Sequence, residues 1–216
     1  KAEYNAFIRG LDAARIQVDD VQTTPLALAT FVRYCLQPAE PTLVVDIGAG
    51  NIDLLALYGE RYWARTLTTG ANLITDTVQR EFELDYDKAE AIKKNATQSR
   101  HSRELLQRML PAMRGIIGEI QKGLNLFHND VPGVAFDKTL VLGGAGASLG
   151  LCRLISQQIG GAVEPMKTLD RIPVAEGVDR ARLNEIAPAL AVATGLALQA
   201  AGHAITKVTL VAKGTV

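Results

Sequence analysis

Apolar residues recur along this chain with two different periods, and the switches between them mark the elements. Tyr4, Phe7, Ile8 and Leu11 fall at helical spacing with Gly10 near the end, predicting an opening amphipathic helix. Ile16, Val18 and Val21 alternate with polar residues, as a short strand would. Thr24-Pro25 then has the form of a helix start, and Leu26 to Leu36 continues it until Pro38 and Pro41 close it. A run at Thr42-Leu43-Val44-Val45 leads into Asp46-Ile47-Gly48-Ala49-Gly50-Asn51. Residues 52–57 and 61–67 both read as strands, with Tyr58-Gly59-Glu60 as the turn between them. The first glycine element therefore leads into a hairpin, and three successive antiparallel strands result.

The second half is mostly helical. Residues 70–82 predict a helix, Asp85 caps another through Lys94, and residues 99–127 carry the longest apolar stripe, from Leu105 to Phe127. Pro111 inside that stripe predicts a kink or a division of the helix, because proline lacks a donor and clashes with the preceding turn. Residues 139–142 read as a buried strand running into Gly143-Gly144-Ala145-Gly146 and a helix. Residues 163–165 form a short extended piece, an alanine-rich helix starts near Arg182, and residues 205–211 read as a last strand. The fold class is α/β, with a largely helical insertion at about residues 71–137.

Composition narrows the functional classes. The 23 basic and 23 acidic residues cancel, which argues against a polybasic surface for nucleic acid or anionic lipid. With 48% hydrophobic residues, the 216-residue chain buries a core without staples. Cys35 and Cys152 stand far apart with no CxxC spacing, which fits a reducing cytoplasm better than a disulfide scaffold. Residues 186–206 lack any charge and are long enough to span a bilayer. Pro188, Thr194, Gly195, Gln199, Gly202 and His203 lower their transfer energy, so a buried helix packed through small side chains is the better account.

Glycines after a strand let backbone N–H groups approach a phosphate or a base, although ordinary tight turns use the same residue. No Gly-Lys pair exists, which excludes a Walker A loop, and Leu149 stands where a GxGxxG fingerprint needs its third glycine. Val44 to Gly50 also looks like the S-adenosylmethionine loop of methyltransferases, but that fold needs a helix after the loop and a hairpin is predicted here. Gly146-Ala147-Ser148-Leu149-Gly150 matches the GxSxG nucleophile elbow, with Asp170 or Asp179 and then His203 in the order a serine hydrolase needs. Ser148 has a plainer role as a helix cap. His101, His128 and His203 are isolated, so no metal site is indicated by spacing.

Four stretches, in order, carry a resemblance: VVDIGAGNIDLLAL, ARTLTTGANLITDTVQREFELDYDKAEAIKK, LVLGGAGASLGLCRLISQQIGGAVEPM and APALAVATGLALQ. Together they resemble the actin-like ATPase superfamily and, within it, the PilM family of type IV pilus assembly proteins. FIRGLDAARIQVDDVQTTPLALA resembles the end of that family's first lobe. The resemblance implies an actin-like (ribonuclease H-like) fold, with residues 1–40 a remnant of the first lobe and 41–216 the second.

It further implies binding of ATP or ADP with Mg²⁺. Asp46, Gly48, Gly50 and Asn51 match the second phosphate loop, with Asp46 near the metal-bound water. Gly143, Gly144 and Gly146 match the adenosine loop, and Glu90 and Lys93 match an Ala-Glu-x-x-Lys helix that reaches the nucleoside. The family's earlier DxG hairpin has no counterpart among the 45 residues before Asp46, and Asn51 stands where a hydroxyl residue is frequent. A fragment of a longer protein, or half a nucleotide clamp with at most weak ATPase activity, is the expectation. The implied role is a cytoplasmic scaffold at the inner face of the inner membrane, with no catalytic residues of its own. It would recruit the cytoplasmic N-terminal peptide of a PilN-like inner-membrane protein through a groove beside the early helices. FtsA-like division proteins and GspL-like secretion proteins are close alternatives.

Overall fold

A computed structural model describes residues 2–144, 150–166, 169, 171–206 and 208–210. The centre is a five-stranded mixed sheet in the order β3-β2-β1-β4-β5. Its strands are β1 (Thr42–Ile47), β2 (Ile52–Tyr58), β3 (Arg61–Leu67), β4 (Lys138–Leu142) and β5 (Ala162–Pro165). β1, β2 and β3 form the predicted antiparallel meander, while β4 lies parallel to β1 and β5 parallel to β4. The central β1 is covered on both faces, which is why its sequence is a continuous apolar run rather than an alternation.

Seven helices surround the sheet among the described residues: α1 (Ala2–Ala13), α2 (Thr24–Phe31), α3 (Asn72–Phe82), α4 (Tyr86–Lys94), α5 (Ser102–Asp130), α6 (Leu151–Ile159) and α7 (Arg180–Leu198). On one face Leu43, Val45, Ile47 and Leu54 meet Ile74 of α3 and the buried stripe of α5. On the other, Val44, Leu55 and Leu142 meet Leu28 and Phe31 of α2 and Ala187 and Ala191 of α7. Each fully buried aliphatic or aromatic side chain of this kind contributes about 1.5–3 kcal/mol, so the two layers carry most of the fold's stability. α2 is thus bound to the sheet although it precedes residue 41.

Small side chains set the α2–α7 contact. Ala187, Ala191 and Gly195 form the buried stripe of α7, and a Cβ on Gly195 would stand 2.0 Å from the Ala27 carbonyl oxygen. This is the small-residue packing that the alanine-rich sequence predicts. The helical stretch Arg180–His203 is nonetheless long and apolar enough, by length and composition, to cross a membrane.

Three local expectations differ from the structure. α5 is not divided at Pro111, which sits on the exposed face together with Gln107, the residue whose carbonyl loses its donor; Leu105, Met109 and Met113 hold the opposite face in the core. Residues 16–21 form no strand, since none of the described strands lies beside them: the turn after α1 puts Arg15 at a φ of 58° and Ile16 stays exposed. Of residues 205–211, the described ones also form no strand, and Leu210 N–H donates to the Val21 carbonyl.

Candidate functional site

Because β1 and β4 are parallel neighbours, both glycine turns leave the same end of the sheet, where ligand crevices of open α/β sheets lie. The first turn closes with Gly48 N–H donating to the Asn51 carbonyl at 3.0 Å. Its own carbonyls are drawn towards α3: Gly48 accepts from Ala71 N–H at 2.9 Å and Ala49 from Asn72 N–H at 2.8 Å. Gly70 permits that approach, since a Cβ there would come within 2.4 Å of the Ala49 oxygen. Ala49, Gly50 and Asn51 are left as an exposed tip.

The second turn meets the first at the end of β1. Gly143 has φ of +84°, and an added Cβ would lie 2.3 Å from the Ile47 carbonyl oxygen and 2.7 Å from Asp46 Oδ1. Only glycine fits both the conformation and the space. Gly143 N–H donates to the Pro188 carbonyl at 3.1 Å, tying the turn to α7. Gly144 faces open space. Asp46, Gly48, Gly50, Asn51, Gly143 and Gly144 are therefore brought to one end of the sheet, whereas Gly146 lies outside the described residues.

A second carboxylate, absent from the sequence-based set, belongs to this site. Asp53 stands directly across the hairpin from Asp46, and its side chain accepts a hydrogen bond from the Thr66 hydroxyl. Burial and then the neighbouring Asp53 push the Asp46 carboxyl up to about 6. Burial likewise raises Asp53, opposed by the Thr66 hydrogen bond. No donor among the described residues bonds the Asp46 carboxylate. Two adjacent carboxylates short of positive charge are the donor set that suits a hydrated divalent cation. The signal was legible: a turn pairing Ile47 with Ile52 must also pair Asp46 with Asp53.

Glu90 and Lys93 form a network at the α3–α4 contact. The buried Lys93 Nζ lies 2.6 Å from Glu90 Oε2, 2.9 Å from Thr75 Oγ1 and 3.5 Å from the Ala71 carbonyl oxygen. Thr75 in turn donates to Glu90 Oε2 at 2.7 Å, and Lys94 approaches Glu90 Oε1 at 3.4 Å. These contacts hold Glu90 below the usual carboxylate range against its partial burial. All three ammonium protons of Lys93 have acceptors, one of them on Ala71, whose N–H holds the first glycine turn. The pair is thus connected to the turn through α3.

Of the rival chemistries, the structure bears on the methyltransferase loop and on two of the hydrolase candidates. β2, not a helix, follows Gly50, which removes the methyltransferase loop. Asp179 caps α7 by accepting from Ala181 and Arg182 N–H, and the exposed His203 packs on Tyr34 with ring centroids 4.7 Å apart. Ser148 and Asp170 lie outside the described residues. Among the described residues no group of three His, Cys, Asp or Glu side chains forms a metal centre. A separate cavity of 620 Å³ among Phe82, Ile92, Asn95, His101 and Leu105 shares no residue with the glycine turns.

The sheet order, the hairpin between β1 and β2, and the two glycine turns at one end define the actin-like ATPase fold. Solved structures of that class agree: MreB5 of Spiroplasma citri bound to ADP is 13% identical, with a TM-score of 0.66 over 94% of this chain and 66% of that one. The ethanolamine utilization protein EutJ from Carboxydothermus hydrogenoformans is 20% identical, with a TM-score of 0.57 over 81% of this chain and 53% of that one. The family model for the type IV pilus assembly protein PilM matches residues 11–201, and the chain belongs to that family. A chain of a PilM–PilN type IV pilus biogenesis complex is 26% identical with a TM-score of 0.78. That match covers 91% of this chain and 57% of the other, so the chain spans little more than half of that relative's length.

Proposed function

We propose that this chain is the nucleotide-binding second lobe of a cytoplasmic scaffold at the inner face of the inner membrane, which recruits a PilN-like partner during pilus assembly. The observation that carries the nucleotide reading is the meeting of the two glycine turns at Asp46, where an absent Cβ on Gly143 lets them share one crevice. ATP or ADP would lie there, its phosphates at the first turn, against Gly48, Gly50 and Asn51, and its base at the second, against Gly143, Gly144 and Gly146. A bound Mg²⁺ would supply charge neutralisation, with Asp46 and Asp53 holding its waters. Glu90 faces the nucleoside, and Lys93 positions Glu90 and α3. The likeness to a PilM–PilN complex supports the partner class. The partner's cytoplasmic N-terminal peptide would dock beside α1, where Phe7 is 59% exposed, on residues 1–40, the remnant of a first lobe.

Thermal melting with MgADP and MgATP tests the nucleotide site, since a ligand at ten times its Kd stabilises by about 1.4 kcal/mol. Gly144→Val is a clean control because its Cβ meets nothing within 4 Å. It should melt like the parent without nucleotide and lose the nucleotide shift. An unchanged shift in Gly144→Val removes the adenosine-loop assignment. No shift in the unsubstituted chain, or in a longer protein containing it, leaves an interaction module that works without nucleotide.

A further inference from the structure

The sheet has two edge strands, and they are finished differently. β5 has four residues, ends in Pro165, and carries a Lys138–Glu164 ion pair at 3.0 Å beside it. Shortness and proline are ordinary ways to blunt an edge. β3 has neither. It has seven residues without proline or bulge, pairs with β2 in unbroken register from Arg61 to Leu67, and buries only Leu67.

We infer that β3 is a docking edge for an extended acidic segment of a partner protein, which joins the sheet as a sixth strand. On its free side, alternate residues present N–H and C=O groups that a sixth strand would satisfy. The strand is held in place at its start and at its third residue. Arg33 donates to the Gly59 carbonyl at 2.9 Å and the Arg61 carbonyl at 3.2 Å. Trp63 Nε1 donates to Asp130 Oδ2 at 2.9 Å and its ring stands edge-on to Phe127. Little ordering is therefore left to be done on this side when a strand arrives.

Charge selects the occupant. Arg61 and Arg65 lie on one face of β3, with no acidic residue in the strand, and neither side chain has an ion-pair partner among the described residues. Two copies of β3 paired antiparallel about Trp63 would set Arg61 against Arg65 twice, and like charges directly opposite are unfavourable. A segment with acidic residues four apart on one face places a carboxylate beside each guanidinium. The same two residues thus exclude a second copy and admit an acidic strand. Arg61 and Arg65 are not among the residues of the proposed nucleotide site, which β3 touches through the bond from Thr66 to Asp53.

The test selects random decapeptides displayed on phage against the full chain, with R61E/R65E as the counter-screen. One enriched peptide is then followed by amide hydrogen exchange. Enriched peptides should carry Asp or Glu four residues apart, slow exchange along residues 61–67, and bind R61E/R65E about tenfold more weakly, because two cross-strand charge pairs reverse sign. Failure to enrich, enrichment without acidic residues, or protection elsewhere than β3 overturns the inference. So does protection of β3 that grows with protein concentration in the absence of peptide, which marks self-pairing. If R61E/R65E melts differently from the parent, the exchange pattern and peptide composition decide alone.

Discussion

Replacing Asp46 by asparagine should stabilise the nucleotide-free protein while abolishing its response to Mg²⁺-nucleotide. The folded Asp46 carboxyl holds its proton up to about pH 6, against an ordinary value of 3.8. Folding therefore takes up a proton between those values, and stability falls as pH rises through that window. Above pH 6 the ionised carboxylate costs about 3 kcal/mol at most, taking 1.36 kcal/mol for each unit. Asparagine keeps the shape and stays neutral. At pH 7.5 Asp46→Asn should gain about 1–3 kcal/mol, or roughly 2–4 °C per kcal/mol for a domain of this size. Below pH 4 the two proteins should converge. Urea unfolding across pH 4 to 8 reads the difference, and melting with MgADP reads the lost ligand response. A variant less stable than the parent at pH 7.5, or with the parent's full pH slope, refutes the reasoning: Asp46 would then be held by a favourable partner.

Two further substitutions separate local from tertiary effects. Gly195→Ala gains about 1 kcal/mol by helix propensity alone. The Cβ would nevertheless overlap the Ala27 carbonyl, so a net loss of about 1–2 kcal/mol in urea unfolding is expected. Lys93→Met removes the donor shared by Glu90, Thr75 and Ala71 and should cost about 3 kcal/mol, because it strands a partly buried carboxylate. Its nucleotide shift, measured above its own melting baseline, should weaken less than that of Gly144→Val if Lys93 acts through α3.

Much of this protein was legible residue by residue. Residues 52–57 and 61–67 each read as a strand, and the Tyr58-Gly59-Glu60 turn between them made a hairpin of the pair. Asp85 announced the start of α4, and its side chain does accept from Lys88 N–H at 2.9 Å. The actin-like order of motifs could likewise be read directly. The identity of Glu90 and Lys93 as a linked pair was visible as a helical spacing of three, but their attachment to Thr75 and Ala71 was not.

What the tertiary structure decided is every feature that depends on a distant neighbour. Residues 16–21 alternate as a strand should, yet none of the described strands lies beside them to accept their N–H groups. Pro111 fails to break α5 because its face meets water while the opposite stripe is locked in the core. Gly143 must be glycine because its φ is positive and the end of β1 occupies the space a Cβ would need, and Asp46 titrates late because the fold buries it and sets Asp53 beside it. Periodicity and turn chemistry act within a few residues of the chain. Close approach, burial and charge coupling act across space, and those are what bring two glycine bends together at the end of β1.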